Sequence, residues 1–134
     1  MGAAHKIIDK KTLQVLVPFN ALSPVHFNEV AQKTVVDEVR AGRLVFKEGD
    51  RDNQSVYLLE GEISLVSGNE IVGAISAGSD ASRHPLAHQQ PRQVTARAKT
   101  NVVVARIDSS LLDIMLTWDQ SSGYEVAEIS DDDD

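Results

Sequence analysis

Residues 35–66 read VVDEVRAGRLVFKEGDRDNQSVYLLEGEISLV, and this stretch decides the fold class. Its apolar residues come in short runs: Val35-Val36, Val39, Leu44-Val45-Phe46, Val56-Tyr57-Leu58-Leu59 and Ile63-Ser64-Leu65-Val66. Between them stand turn formers, namely Ala41-Gly42, Gly49-Asp50, Asp52-Asn53 and Glu60-Gly61. Branched and aromatic side chains suit a pleated surface, and glycine reaches the backbone of tight turns, so these runs read as strands. The rhythm continues with Ile71-Val72, Val94 to Ala98 and Val102 to Ile107, separated by Ser67-Gly68-Asn69, Ala77-Gly78 and Lys99-Thr100. About eight short strands at this spacing predict a mainly β domain, an antiparallel β-roll or jelly-roll barrel with short flanking α-helices. Full helices do not alternate with the strands, which disfavours a parallel α/β sheet. The expected core is Leu44, Phe46, Tyr57, Leu59, Ile63, Leu65, Val104 and Ile107.

Helical signals flank the strands. Ile7, Ile8, Leu13, Leu16 and Val17 recur at helical spacing before Pro18, and Ser23-Pro24 supplies an N-cap and a first-turn proline for a helix through Phe27, Val30 and Ala31. Downstream, Asp108-Ser109-Ser110 offers caps for a short helix over Leu111 to Trp118, with Met115 and Trp118 expected in the core. From Gln120 the chain turns polar and ends in Asp131 to Asp134, which reads as a solvated tail or a linker. The expected organisation is an N-terminal helical segment over 1–18, a β-roll domain over 19–118 and an acidic tail over 119–134.

The 134 residues suit one domain, and 42% apolar with 25% charged residues is the balance of a globular chain. Lys plus Arg is 13 against 20 Asp plus Glu, a net charge of −7, which argues against nucleic acid as a partner because phosphate backbones need a basic footprint. No apolar run approaches the roughly 20 residues that span a bilayer, so no membrane partner is expected. The N-terminal residues His5, Lys6, Asp9, Lys10 and Lys11 do not form a secretory signal. The chain holds no cysteine, which excludes disulfides, thiolate catalysis and cysteine-ligated zinc and favours a cytoplasmic setting.

One segment interrupts the strands. Ser79 to Gln93, SDASRHPLAHQQPRQ, carries two prolines, two histidines and two arginines. An irregular insertion of about fifteen residues in a compact β-domain is where function is to be sought. His84 and His88 stand at i, i+4, but a third ligand is missing, so no metal is expected. The chain lacks Gly-x-Ser-x-Gly, and no Ser/His/Asp set is placed by sequence, so no enzyme is expected. Arg83 and Arg92 flank Pro85, which can start a short helix; guanidinium forks beside a helix N-terminus suit a phosphate. A protein-interaction surface with no small ligand is the other reading of the same segment.

Over roughly Phe19 to Trp118 the chain resembles the cyclic-nucleotide-binding domain family. The residues that carry the resemblance are Phe19 to Ser23, Ala41 to Asp50, Val56 to Ile63 and Arg92 to Thr100, with Gly42, Gly49 and Gly61 at the family's turns. The resemblance implies a β-roll that senses a cyclic nucleotide and regulates an effector domain or partner protein; a homodimer is a further option. It also implies a phosphate-binding cassette, Phe-Gly-Glu-x-Ala and then Pro-Arg-Ala-Ala/Thr, here matched by Ala81, Ser82, Arg83, His84 and Pro85 and then Pro91-Arg92. The arginine that grips the cyclic phosphate is kept as Arg92. Arg83 stands where the family has the glutamate that accepts the ribose hydroxyl, Ser82 replaces its glycine, and Pro85 removes an amide donor. Each lost charge-assisted bond costs about 1.5–3 kcal/mol, so two losses weaken ordinary cAMP binding by roughly two to four decades. The candidate ligand contacts are therefore Ser82, Arg83, His84, Pro85, Arg92 and Gln93, with cAMP, cGMP or another anionic nucleotide as ligand and no resident cofactor. The alternative is a degenerate β-roll that binds no ligand and regulates through protein contact, with Arg92 holding an internal carboxylate. The expected helix after the roll is short, as in a sensor whose output lies elsewhere.

Overall fold

The computed structural model describes residues 10–87 and 90–129, with side chains described through 120. Among the described residues, seven strands form two antiparallel sheets. β1 (Val35–Val39), β7 (Val102–Asp108) and β3 (Gln54–Glu60) make a three-stranded sheet in the order β1-β7-β3. β2 (Leu44–Phe46), β6 (Thr95–Ala98), β4 (Glu62–Ser67) and β5 (Glu70–Ser76) make a four-stranded sheet in the order β2-β6-β4-β5. The β-roll expected from the glycine-punctuated runs is the observed fold; the strand number is seven because Val35-Val36 and Val39 belong to one strand.

The continuity of the β3 and β7 runs has a packing cause. Val56, Leu58, Val102 and Val104 face the interior of the roll with Val45, Phe46, Ile63 and Ala96. Their neighbours Tyr57, Ala105 and Ile107 face the other way, into a second core built with Leu13, Leu16, Phe19, Phe27 and Leu112 from the helices. Strands buried on both faces cannot alternate apolar with polar residues. β5 lies at a sheet edge, and its Ile71 and Val72 are 71% and 57% exposed. Arg106 of β7 stitches the sheets together, pairing through Nε with Asp37 at 2.8 Å and donating through Nη2 to the Val45 carbonyl at 3.2 Å.

Two core expectations are corrected. Leu44 is 42% exposed, because it pairs with Arg97 on the outer face while the shifted register of β2 buries both Val45 and Phe46. Trp118 is 54% exposed, although Leu112 and Met115 of the same helix are buried. Of the other expected core residues, Phe46, Tyr57, Ile63, Val104 and Ile107 are buried, and Leu59 and Leu65 are half-buried.

Among the described residues, three α-helices pack on the face of β3 and β7 that carries Tyr57, Ala105 and Ile107: α1 (Lys10–Gln14), α2 (Pro24–Gln32) and α3 (Ser109–Ile129). Ile7, Ile8 and the Asp131 to Asp134 run lie outside the described residues. α2 begins as its sequence predicts, with Ser23 as N-cap and Pro24 in the first turn. Asp108 caps α3 by accepting from the Ser110 amide at 2.7 Å and the Leu111 amide at 3.3 Å. The helix then runs past Trp118, and past position 119 at which the sequence suggests a tail. Polar composition hides this length, because a helix needs no apolar face where it leaves the core. α3 is fastened to α2 by one carboxylate: Asp119 accepts from the Ser23 amide at 2.7 Å and the Ser23 hydroxyl at 2.8 Å, and it pairs with His26 Nδ1. Desolvation works to raise the Asp119 pKa, but the Ser23 and His26 interactions outweigh it and hold the carboxyl below its ordinary value. Phe19 packs edge-on against Tyr57 at 5.5 Å between ring centres, and the Tyr57 hydroxyl donates to the Val17 carbonyl at 2.7 Å. Among the described residues, no helix is long and apolar enough to cross a membrane.

Candidate functional site

Arg92 enters the roll just ahead of β6. Its amide donates to the Asp50 carbonyl and its own carbonyl accepts from the Gly49 amide, each at 2.8 Å, so the backbone is clamped to the turn between β2 and β3. From there the side chain runs inward. It is 1% exposed, and its guanidinium carbon lies 4.0 Å from the centre of the Phe46 ring. A cation held over an aromatic face gains electrostatic attraction that partly offsets the cost of leaving water.

A guanidinium has five N–H donors. In Arg92 every one is used within the chain. Nε donates to Asp52 Oδ2 at 3.2 Å and Nη2 to Asp52 Oδ1 at 2.8 Å, a fork on a carboxylate. Nη2 also donates to the Gln54 carbonyl at 2.6 Å, and Nη1 donates to the Leu86 and Ala87 carbonyls at 3.2 and 3.1 Å. Asp52 accepts two further bonds, from the Gln54 amide at 3.0 Å and from Gln90 Nε2 at 3.2 Å. Partial desolvation works to raise its pKa. The hydrogen bonds from Arg92, Gln54 and Gln90 and the Arg92 charge outweigh that effect and hold the carboxyl below its ordinary value.

Residues 79–87 fold over this pair, with the Leu86 and Ala87 carbonyls on Arg92. Leu86 is fully buried in the roll's core and its amide donates to the Val56 carbonyl at 2.8 Å, so the segment plugs the roll with an apolar side chain while its carbonyls face Arg92. The single helical turn in its first half is a 3-10 turn over Ala81–Arg83 that ends before Pro85. His84 is extended, as the residue before a proline is constrained to be. The helix expected to begin at Pro85 is not seen among the described residues, so no helix N-terminus faces Arg92 there.

The six candidate contacts do not converge. Ser82 is buried in its own turn, its hydroxyl donating to the Ser79 carbonyl at 2.7 Å. Arg83 points toward the N-terminal helical segment: Nε donates to the Val15 carbonyl at 3.0 Å, Nη1 pairs with Asp80 at 3.4 Å, and its carbonyl accepts from the Val17 amide at 2.7 Å. His84 is exposed and Pro85 half-buried. Gln93 is exposed and donates back to the Pro91 carbonyl at 3.1 Å. Only Arg92 occupies the interior. His88 lies outside the described residues, and among those described no group of three potential ligands could hold a metal ion. Ser23, His26 and Asp119 form a Ser/His/Asp cluster, but the Ser23 hydroxyl donates to the carboxylate and not to the histidine, which leaves no activated nucleophile.

The residue that sequence reasoning missed is Asp52. It stands forty positions before Arg92, in a turn rich in aspartate, and no local signal separates it from Asp50.

The cyclic nucleotide-binding domain family model matches residues 36–117. A curated relative, a cGMP-dependent protein kinase of Plasmodium berghei, is 24% identical over 98 residues; the match covers 73% of this chain and 11% of the kinase's length. The sensor domain of the transcriptional regulator DNR from Pseudomonas aeruginosa superposes with a TM-score of 0.70 at 19% identity, over 90% of this chain and 85% of that one. The regulatory subunit of a cAMP-independent protein kinase A from Trypanosoma cruzi, bound to guanosine, superposes with a TM-score of 0.65 at 14% identity, over 80% of this chain and 38% of that one. At these identities the structural likenesses speak for the fold alone.

Proposed function

The chain belongs to the cyclic nucleotide-binding domain family, and we propose that within it the chain is a non-catalytic regulatory module whose anion position is closed by its own Asp52. It acts through contact with an effector domain or partner protein and without ordinary control by cAMP. The observation that carries this reading is the complete use of the Arg92 donors, with the Asp52 carboxylate on the fork that would grip a phosphate. A nucleotide has to exchange its phosphate for that carboxylate, and one anion for another on the same fork yields little net free energy. Affinity would then have to come from the sugar and the remaining phosphate oxygens. Arg83, turned to the Val15 carbonyl, supplies no acceptor for a ribose hydroxyl, and Pro85 has no amide to donate, a deficit of about 3–6 kcal/mol. The cysteine-free composition suits a cytoplasmic setting.

Titration calorimetry with cAMP and cGMP tests the reading. The wild-type chain gives no saturable heat up to about 1 mM nucleotide, a floor of about 4 kcal/mol. Submicromolar binding that Arg92→Met abolishes refutes it and restores the alternative, a nucleotide sensor centred on Arg92.

A further inference from the structure

Several cations of this acidic chain hold a carboxylate, and others are exposed without one. Arg83, Arg92, Arg106, Lys33 and Lys99 each hold a carboxylate. Arg40, Arg43 and Arg97 are exposed, and among the described residues their guanidiniums make no hydrogen bond and no ion pair.

These three lie together. Arg40 and Arg43 bracket the Ala41-Gly42 turn and line one open cleft of about 370 Å³ with Val39 and Leu44. Leu44 is the Cα partner of Arg97 across the β2–β6 pair, and both are exposed, so Arg97 stands beside Leu44 on the outer face. The turn is held rigidly. Gly42, at φ +88°, donates to the Ala98 carbonyl at 2.7 Å, the Ala98 amide donates to the Arg43 carbonyl at 2.9 Å, and the Ala41 amide donates to Asn101 Oδ1 at 2.9 Å.

We propose that this cleft is a docking site for an acidic segment of a partner protein that carries an aliphatic residue among its carboxylates. Guanidinium forks pair two-pronged with carboxylates, and a presented turn loses little freedom when they do. Leu44, 42% exposed between the arginines, offers the apolar contact that a purely ionic patch lacks. Charge complementarity selects the partner class, and the surroundings select against nucleic acid. Three guanidiniums make a short footprint for a repeating phosphate backbone, and Glu38, which lines the same cleft, limits the acidic segment to a few carboxylates. The site shares no residue with the Arg92 centre, so its test stands apart from the nucleotide titration.

The experiment is fluorescence anisotropy of the full chain with a fluorescein-labelled peptide of glutamates around two leucines. A glutamine-for-glutamate peptide, a glutamate-only peptide and a single-stranded oligonucleotide serve as comparisons. The leucine-containing acidic peptide binds saturably and tighter than all three, added salt weakens it, and Arg40→Glu/Arg43→Glu lowers its affinity at least tenfold. Leu44→Ser, which leaves every charge in place, lowers it several-fold. Circular dichroism and the melting temperature establish that both variants are folded. Three results overturn the proposal: no binding of that peptide, binding unchanged in the double variant, or tighter binding of the oligonucleotide. Concentration-dependent self-association lost in the double variant overturns it too, since it assigns the patch to a second copy of the chain.

Discussion

Replacing Asp52 by alanine tests the central pair most directly. Asp52 receives two of the five Arg92 donors, and Arg92 is 1% exposed, so the substitution leaves a buried guanidinium with two unsatisfied N–H groups. Breaking one side of a buried ion pair costs about 3–5 kcal/mol. The Asp52 side chain is 26% exposed, so water can enter where it stood, and the low end applies, about 3 kcal/mol. For a chain of this size that is a fall in melting temperature of roughly 10 °C. Removing the charge as well, in Asp52→Ala/Arg92→Met, recovers part of the loss, because an apolar side chain is cheaper in that position than an unpaired cation. The emptied fork is also an anion site. Sulfate or phosphate at about ten times its dissociation constant restores roughly 1.4 kcal/mol to Asp52→Ala and nothing to the double variant. The assay is thermal unfolding by circular dichroism with and without the anion. A single variant within about 0.5 kcal/mol of wild type, or a double variant whose loss is the sum of both single losses, refutes the reasoning, since the pair would then carry no coupling.

Other outcomes follow from the same structure. From the sequence alone, Arg83→Glu/Pro85→Ala is expected to tighten cAMP binding at least tenfold. With Asp52 on the fork the gain appears in calorimetry only when Asp52→Ala is added, and a gain without it means that the carboxylate is readily displaced. Gly61→Ala costs at least about 2 kcal/mol by denaturant unfolding, because φ is +89° and an added Cβ meets the Asn101 carbonyl and, at 2.8 Å, both Thr100 Oγ1 and Val102 Cγ1. Acid loosens α3: the Asp119 pKa is depressed, so its contribution is complete above the ordinary carboxylate range and is lost as pH falls through the folded value. Trp118, the only tryptophan and 6.0 Å from the His26 ring, reports the change by fluorescence; Asp119→Asn removes that transition, and one that persists unchanged excludes Asp119 as its cause.

The sequence by itself determined the β-roll. Short runs such as Leu44 to Phe46 and Val56 to Leu59, closed by Gly49 and Gly61, carry their strand and turn signals within a few residues, because backbone preference and side-chain alternation are local properties. The Ser23 cap and the kept Arg92 were legible for the same reason. Which face a residue takes was not always legible: Leu44 and Trp118 look like core residues until the register of β2 on β6 and the docking of α3 turn them outward. The site was decided by tertiary structure alone. Arg83 and Arg92 are close in sequence, yet one ties down the N-terminal helical segment and the other is buried in the roll. Asp52 meets Arg92 only because the β2–β3 turn is clamped to the strand that Arg92 precedes. A charge gains a partner from whatever the folded chain brings within about 3 Å, and no spacing along the sequence encodes that distance.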